Sequence, residues 1–197
     1  MTSDADLVRS YLTGDPSAFE ELVRRHEQRT YNLALRMLGR SEDARDATQD
    51  TFLTALRKLD TFRGDAAFTT WLHRVTVNAC YDMMRKKARQ PMLHVVSDDE
   101  GREVEPGPPV PDHADVVAGD TDVGRALARV PIEYRAVLVL HDVQDIAVEE
   151  VAKILDVPSG TVKSRLHRGR IALARELGLR PPHGERANAP GTSQEEP

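Results

Sequence analysis

Val148 to Arg175 (VEEVAKILDVPSGTVKSRLHRGRIALAR) constrains the fold more than any other stretch. Val148, Val151, Ala152 and Leu155 recur at three- and four-residue steps, the spacing of one helix face. Asp156-Val157-Pro158 breaks that period, because proline cannot continue the helix before it. Ser159 is then placed to cap a second helix with its hydroxyl. In that helix Val162, Leu166, Gly169, Leu173 and Leu177 form the inner face, with Gly169 allowing two backbones to approach closely. Lys163, Ser164, His167 and Arg168 form the outer face, flanked by Arg165 and Arg170. Basic amphipathic helices are common surface features. Here the helix comes with a pairing helix, a tight turn and an outer face almost free of acids, since Asp156 is the only carboxylate from Val151 to Arg175. Together these predict a helix-turn-helix that places its second helix in the major groove of DNA.

The formal charge of -5 at first contradicts a nucleic-acid binder. The charge is segregated, however. Ser97 to Asp122 holds nine acids and one base, a net of -8, which leaves +3 for the rest of the chain. Such segregation suggests two DNA-facing modules with an acidic spacer between them. The chain has one cysteine, Cys80, so no intramolecular disulfide can form. No apolar run approaches the roughly 20 residues that span a bilayer, and the chain is expected to be cytoplasmic. Aromatics are few and long strand-like alternation is absent, which predicts an all-α fold.

Taken in order, Asp15-Pro16 opens the first strong helix, with Phe19, Leu22, Val23, His26, Leu33, Ala34 and Met37 on one face and Gly39 at its end. The histidines show no metal-ligand spacing, so neither a metal nor another cofactor is expected. Ser41 starts a second helix with Ala44, Ala47, Thr48, Thr51, Phe52, Ala55, Leu56 and Leu59 on its apolar side. Its other side shows Asp46, Gln49, Asp50 and Leu53, either a solvated stripe or a partner surface. Asp46 and Asp50 lack the third ligand of a metal site and the burial that catalysis requires, so enzyme chemistry is set aside.

A link through Phe62 and Arg63 leads into a third helix from about Ala67 to Arg89. Phe68, Trp71, Leu72, Val75, Ala79 and Met83 make its apolar stripe. Arg74, Asn78, Tyr81 and Arg85 line another face that ends in Lys86, Lys87 and Arg89, a pattern suited to phosphate contact. Phe62 either stacks on an unpaired base or plugs the helix junction. Cys80 on this helix is either a packing residue or a redox sensor. Residues 90–120 read as an acidic flexible linker, which either tethers or lies in a basic groove as a DNA mimic. Thr121 caps a fourth helix (Val123, Leu127, Val130). Pro131 starts a fifth with Ile132, Ala136, Val139 and Leu140 inward. Residues 180–197 read as a disordered tail.

The passages GDPSAFEELVRRH, EDARDATQDTFLTAL, FRGDAAFTTWLHRVTVNAC, LARVPIEYRAVLVLHD and VEEVAKILDVPSGTVKSRLHRGR, in this order, give the chain a specific resemblance. It resembles the extracytoplasmic-function (ECF) sigma factors of RNA polymerase, two-domain members of the sigma-70 family. The resemblance implies two small helical domains: sigma region 2 over 15–89 and sigma region 4 over 121–179. It implies that Asp46, Gln49, Asp50 and Leu53 dock on core RNA polymerase. Phe62, Arg63, Arg74, Asn78, Tyr81, Arg85 and Lys86 would meet the -10 element, including its opened strand. Thr161, Lys163, Ser164, Arg165, His167, Arg168 and Arg170 would read the duplex -35 element. The implied function is an alternative sigma factor that directs promoter-specific transcription initiation without catalysis of its own. An anti-sigma factor is the further partner implied. The chain departs from the common pattern at Arg45, at Ala47-Thr48, at His167 and at Ala147-Val148-Glu149-Glu150, where Ser-Tyr-Glu-Glu is usual. A dimeric repressor would need a dimer seam, and a nuclease would need acids clustered around a metal. Neither is visible in the sequence.

Overall fold

A computed structural model describes residues 2–64, 66–89 and 121–179. The expected linker over 90–120 and tail over 180–197 lie outside the described residues. Among the described residues all regular elements are helical, in agreement with the all-α expectation.

The first helix, α1 (Asp4–Leu12), precedes the first helix expected from the sequence. Its start is fixed by a capping box: the Asp6 amide donates to Ser3 Oγ at 3.2 Å, and the Ser3 amide donates back to Asp6 Oδ2 at 3.2 Å. Leu7 and Val8 turn inward onto α2 (Ser17–Leu38). Asp15 does prepare the α2 start, since its Oδ1 accepts the Ser17 amide at 3.0 Å. Gly39 ends α2 in the left-handed conformation, φ 78°, with its amide bonded to Leu35 O. Two reasons select glycine there. A side chain would strain that backbone, and an added Cβ would lie 3.1 Å from Ala128 Cβ.

The next helix, α3 (Ser41–Lys58), buries Ala44, Ala47, Thr48, Thr51 and Ala55. The buried hydroxyls of Thr48 and Thr51 are satisfied by donating to the carbonyls of Ala44 and Ala47 one turn back. Leu56, expected on the inner side, is instead 38% exposed. A 3-10 turn over Leu59–Thr61 leads through the Phe62 link into α4 (Phe68–Arg89). Here the sequence reading is only half right. Phe68 and Leu72 are buried, but Trp71, Val75, Ala79 and Met83 are half-buried, while Thr70, His73, Thr76, Val77 and Cys80 are buried. α4 is covered on a second side, by a helix far along the chain, which a single-stripe reading cannot anticipate.

That second cover belongs to the later helices: α5 (Asp122–Arg129), α6 (Ile132–Leu138), α7 (Val148–Leu155) and α8 (Ser159–Glu176). Thr121 caps α5 as expected, accepting the Gly124 amide at 3.3 Å. A wider π turn over Val139–Val143 extends α6, and Asp145 at φ 56° turns the chain into α7. Between α7 and α8 the chain reverses at Asp156, φ 53°, a left-handed position that a short polar side chain tolerates. Ser159 does not cap α8. It is the first helical residue, Pro158 occupies the cap position, and no side chain there accepts an amide. Proline fixes the extended entry and leaves serine inside the helix.

The inner face of α8 is as predicted, with Val162, Leu166 and Gly169 buried and Leu173 and Leu177 half-buried. A Cβ on Gly169 would come within 3.0 Å of Leu138 Cγ and 3.3 Å of Tyr134 Cβ, so only hydrogen fits beneath α6. The early and late helices share one apolar cluster, in which Leu33, Met37, Val77 and Cys80 meet Leu127, Val130, Val137 and Leu140.

Candidate nucleic-acid and partner interface

The α8 outer face forms because its inner face is consumed by α6 and α7. Lys163, Ser164, His167 and Arg168 are exposed, and Ser164 Oγ donates to Thr161 O at 3.0 Å. No acid lies in the first turn of α8. The positive end of the helix dipole and the cations therefore act in the same direction, which favours a phosphate-rich partner. The flanking residues are engaged elsewhere. Arg170 makes a two-pronged ion pair with Asp142, at 2.7 and 3.0 Å. That bond holds its guanidinium above the ordinary arginine range and ties α8 to the π turn. Thr161 and Arg165 are half-buried.

On α4, Arg74, Asn78, Arg85 and Lys86 are exposed, while Tyr81 is half-buried. A groove of about 440 Å³ opens at the basic end of the helix, among Asp82, Arg85, Lys86 and Arg89. Lys87 is used internally, paired with Asp43 at 2.6 Å. Phe62 is half-buried in an aromatic group, its ring centroid 5.7 Å from both Phe68 and Trp71 at steep angles. It thus plugs the helix junction while keeping part of the ring accessible. Beside it a cleft of about 470 Å³ runs between the start of α1 and the link, bordered by Asp4, Phe62, Gly64, Ala66 and Phe68. Arg63 on the same link is exposed.

Asp4 also anchors α1 to α2. His26 Nε2 lies 2.8 Å from its Oδ2, and Arg25 Nη1 lies 3.3 Å from its Oδ1. Arg25 in turn pairs with Glu21 at 2.6 Å. His26 is accordingly a buried structural residue, as its place on the inner face predicts. On α3, Asp46, Gln49 and Asp50 are exposed, with Leu53 43% exposed among them. An apolar side chain beside two carboxylates on an open helix face is a surface suited to a basic, partly apolar partner.

Among the buried polar groups that escaped the sequence reading, Arg135 and Thr70 bond across helices. Arg135 on α6 is 4% exposed and meets no carboxylate among the described residues. Its guanidinium donates to the carbonyls of Val130, Ala128 and Met37, the last two at the C-terminal ends of α5 and α2. Carbonyl ends of helices carry partial negative charge, so they accept a buried cation, although burial lowers its pKa to about 10. The only signal for it was a charge set directly before the apolar run Ala136–Leu140. Thr70 of α4 donates its hydroxyl to Glu150 of α7. Cys80 is fully buried and its thiol is pushed up to about 12, a packing residue with no accessible thiolate.

Among the described residues no group of three histidine, cysteine, aspartate or glutamate side chains could hold a metal, and no helix is long and apolar enough to cross a membrane. Comparison with known proteins gives the context of this geometry. The family model for sigma-70 region 2 matches residues 22–90, and that for sigma-70 region 4 matches residues 121–173. The chain is 42% identical over 176 residues to the ECF RNA polymerase sigma factor SigM of Mycobacterium tuberculosis, covering 89% of this chain and 85% of that one. It is 32% identical to the ECF RNA polymerase sigma factor SigW of Bacillus subtilis, covering 86% and 94%. Its fold is similar to that of the sigma factor RpoE in complex with the anti-sigma factor NepR from Bartonella quintana, with a TM-score of 0.61, 25% identity, and 82% and 97% coverage.

Proposed function

The chain belongs to the ECF group of the sigma-70 family, and we propose that it divides promoter recognition between its two helical regions. As an alternative sigma factor it binds core RNA polymerase and directs promoter-specific transcription initiation, with no catalysis of its own. In this division region 2 spans 15–89 and region 4 spans 121–179, with an acidic linker over 90–120. Asp46, Gln49, Asp50 and Leu53 dock on the polymerase. Lys163, Ser164, His167 and Arg168 read the -35 element, with Thr161, Arg165 and Arg170 at their margins. Arg63, Arg74, Asn78, Arg85 and Lys86 hold the -10 strands, while Phe62 and Tyr81 receive unstacked bases. Unstacking costs about a few kcal/mol per base, which polymerase contacts and the captured strand offset. The place of action is the cytoplasm. An anti-sigma factor is the expected inhibitor, by analogy with the RpoE–NepR complex.

The observation that carries this reading is the pairing, in one chain, of an acid-free basic face on α8 with an exposed acidic and apolar stripe on α3. One surface suits DNA and the other a protein partner. Substitution separates them. Lys163→Ala or Arg168→Ala should abolish promoter choice with core affinity unchanged, and Asp50→Arg should weaken core binding instead. Equal loss of both activities from one substitution would refute the division.

A further inference from the structure

Arg170 stands on the outer line of α8 in the grip of a carboxylate from another element. It follows Lys163 by two helical turns, so the two lie in one row about 10 Å apart along the axis, with His167 beside them. All three are exposed. Asp142 holds the Arg170 guanidinium from one side: Nε donates to Oδ2 at 3.0 Å and Nη2 donates to Oδ1 at 2.7 Å. Of the five N–H donors of an arginine this fork uses two. It leaves the end-on pair, on Nη1 and the second hydrogen of Nη2, and among the described residues no acceptor meets Nη1. The side chain is still 50% exposed. The holder is anchored. Asp142 sits in the π turn, whose Val139 and Leu140 are buried. The Gln144 amide donates to Val139 O, the Ile146 amide donates to Leu140 O, and His141 Nδ1 lies 2.8 Å from Ile146 O. Asp142 therefore fixes the arginine rather than following it.

We propose that Asp142 is a positioning residue for duplex binding: it sets the Arg170 guanidinium so that the free donor pair meets a backbone phosphate at the edge of the major groove. The inference rests on α8 being the DNA-reading helix. In a helix-turn-helix the N-terminal residues of that helix contact base edges. Arg170, two turns beyond Lys163, comes to the groove margin, where phosphate oxygens are the acceptors. Two parallel donors match two phosphate oxygens. The arginine has given up its rotamer freedom before DNA arrives, so binding need not order it. Charge counting alone predicts the opposite role for Asp142, since a carboxylate beside DNA repels phosphate.

The test measures the anisotropy of a labelled duplex of random sequence with the full chain, across about 50 to 200 mM salt. Arg170→Ala should flatten the slope of log affinity against log salt by about 0.9, the signature of one lost phosphate contact. Asp142→Asn should weaken binding about three- to tenfold with the slope unchanged, although it makes the chain more positive. In the Arg170→Ala chain, Asp142→Asn should weaken nothing further. Arg170→Lys keeps the charge and a tie to Asp142 but lacks the second donor pair, so it should weaken binding as well. Tighter or equal binding by Asp142→Asn overturns the proposal, as does a slope unmoved by Arg170→Ala. Full affinity in Arg170→Lys also overturns it, because the pair is then a mere tie between α8 and the π turn. Failure of the DNA reading is distinct: Lys163→Ala then leaves duplex binding unchanged too, whereas failure of the proposal alone leaves that substitution flattening the slope by about 0.9.

Discussion

Gly169→Ala is the sharpest perturbation of the recognition helix, because two opposing effects can be weighed from the structure. In an open helix position alanine gains about 1 kcal/mol over glycine. At Gly169 the new Cβ would lie 3.0 and 3.1 Å from Leu138 Cγ and Cδ1 and 3.3 Å from Tyr134 Cβ. Ordinary carbon contacts fall at roughly 3.5–4.0 Å. Leu138 is only 2% exposed and cannot swing away, and Tyr134 Cβ moves only with the α6 backbone. Overpacking of this kind costs about 1–3 kcal/mol, so the net effect should be a loss of about 1 kcal/mol. In a chain of this size that lowers Tm by roughly 2–4 °C. Gly160→Ala is the internal control. It lies in the same helix with no heavy atom within 4 Å of the added Cβ, so it should stabilise by about 0.5 kcal/mol. Thermal and urea unfolding followed by far-UV circular dichroism read both variants. A double-mutant cycle with Leu138→Ala should return a coupling of about 1 kcal/mol, since the smaller side chain makes room. If Gly169→Ala stabilises as Gly160→Ala does, the close approach of α8 to α6 is refuted.

Other consequences follow from the buried polar groups. Arg135→Met should destabilise by about 2–4 kcal/mol in urea unfolding, because it leaves the Met37, Ala128 and Val130 carbonyls unpaired. Arg135→Lys should recover only part of this, since an ammonium cannot fork between them. His73 is buried near Arg29 and His26, and desolvation first, then those charges, lowers its pKa to about 4. The unfolded chain therefore takes up this proton first as pH falls from about 6.5. Up to about 3 kcal/mol of stability should be lost between pH 6.5 and 4, and none further below. His73→Gln should flatten that limb in pH-dependent urea unfolding, and an unchanged acid limb would remove His73 from the account. Cys80 should resist maleimide in native buffer and react only at the rate of unfolding. Rapid stoichiometric labelling would restore a redox role.

Much of the fold is legible because local chemistry marks it. Gly39 and Thr121 end and begin helices by mechanisms visible in the sequence, and the inner face of α8 follows from periodicity and one glycine. The start of α1 was equally marked by Ser3 and Asp6, but the sequence reading begins at Asp15. What escapes is set by contacts across the linker. Thr70 meets Glu150 of α7, 80 residues away, and one of the three carbonyl partners of Arg135 lies 98 residues away at Met37. No period within a helix encodes such a meeting. The exposed candidates follow the same logic. Lys163, His167, Arg168, Asp46 and Asp50 stand out from sequence, and among the described residues no hydrogen bond or ion pair engages their side chains. Arg170 and Lys87 look identical in sequence, yet each finds an acid of its own in Asp142 and Asp43.

The central claim is that this chain confers promoter choice on RNA polymerase, and in vitro run-off transcription from a genomic fragment library tests it most directly. Core polymerase with the chain should give discrete start sites absent with core alone, and these should vanish with Arg168→Ala while the chain still co-migrates with core. No promoter-specific start sites, together with no co-migration with core, would contradict the account.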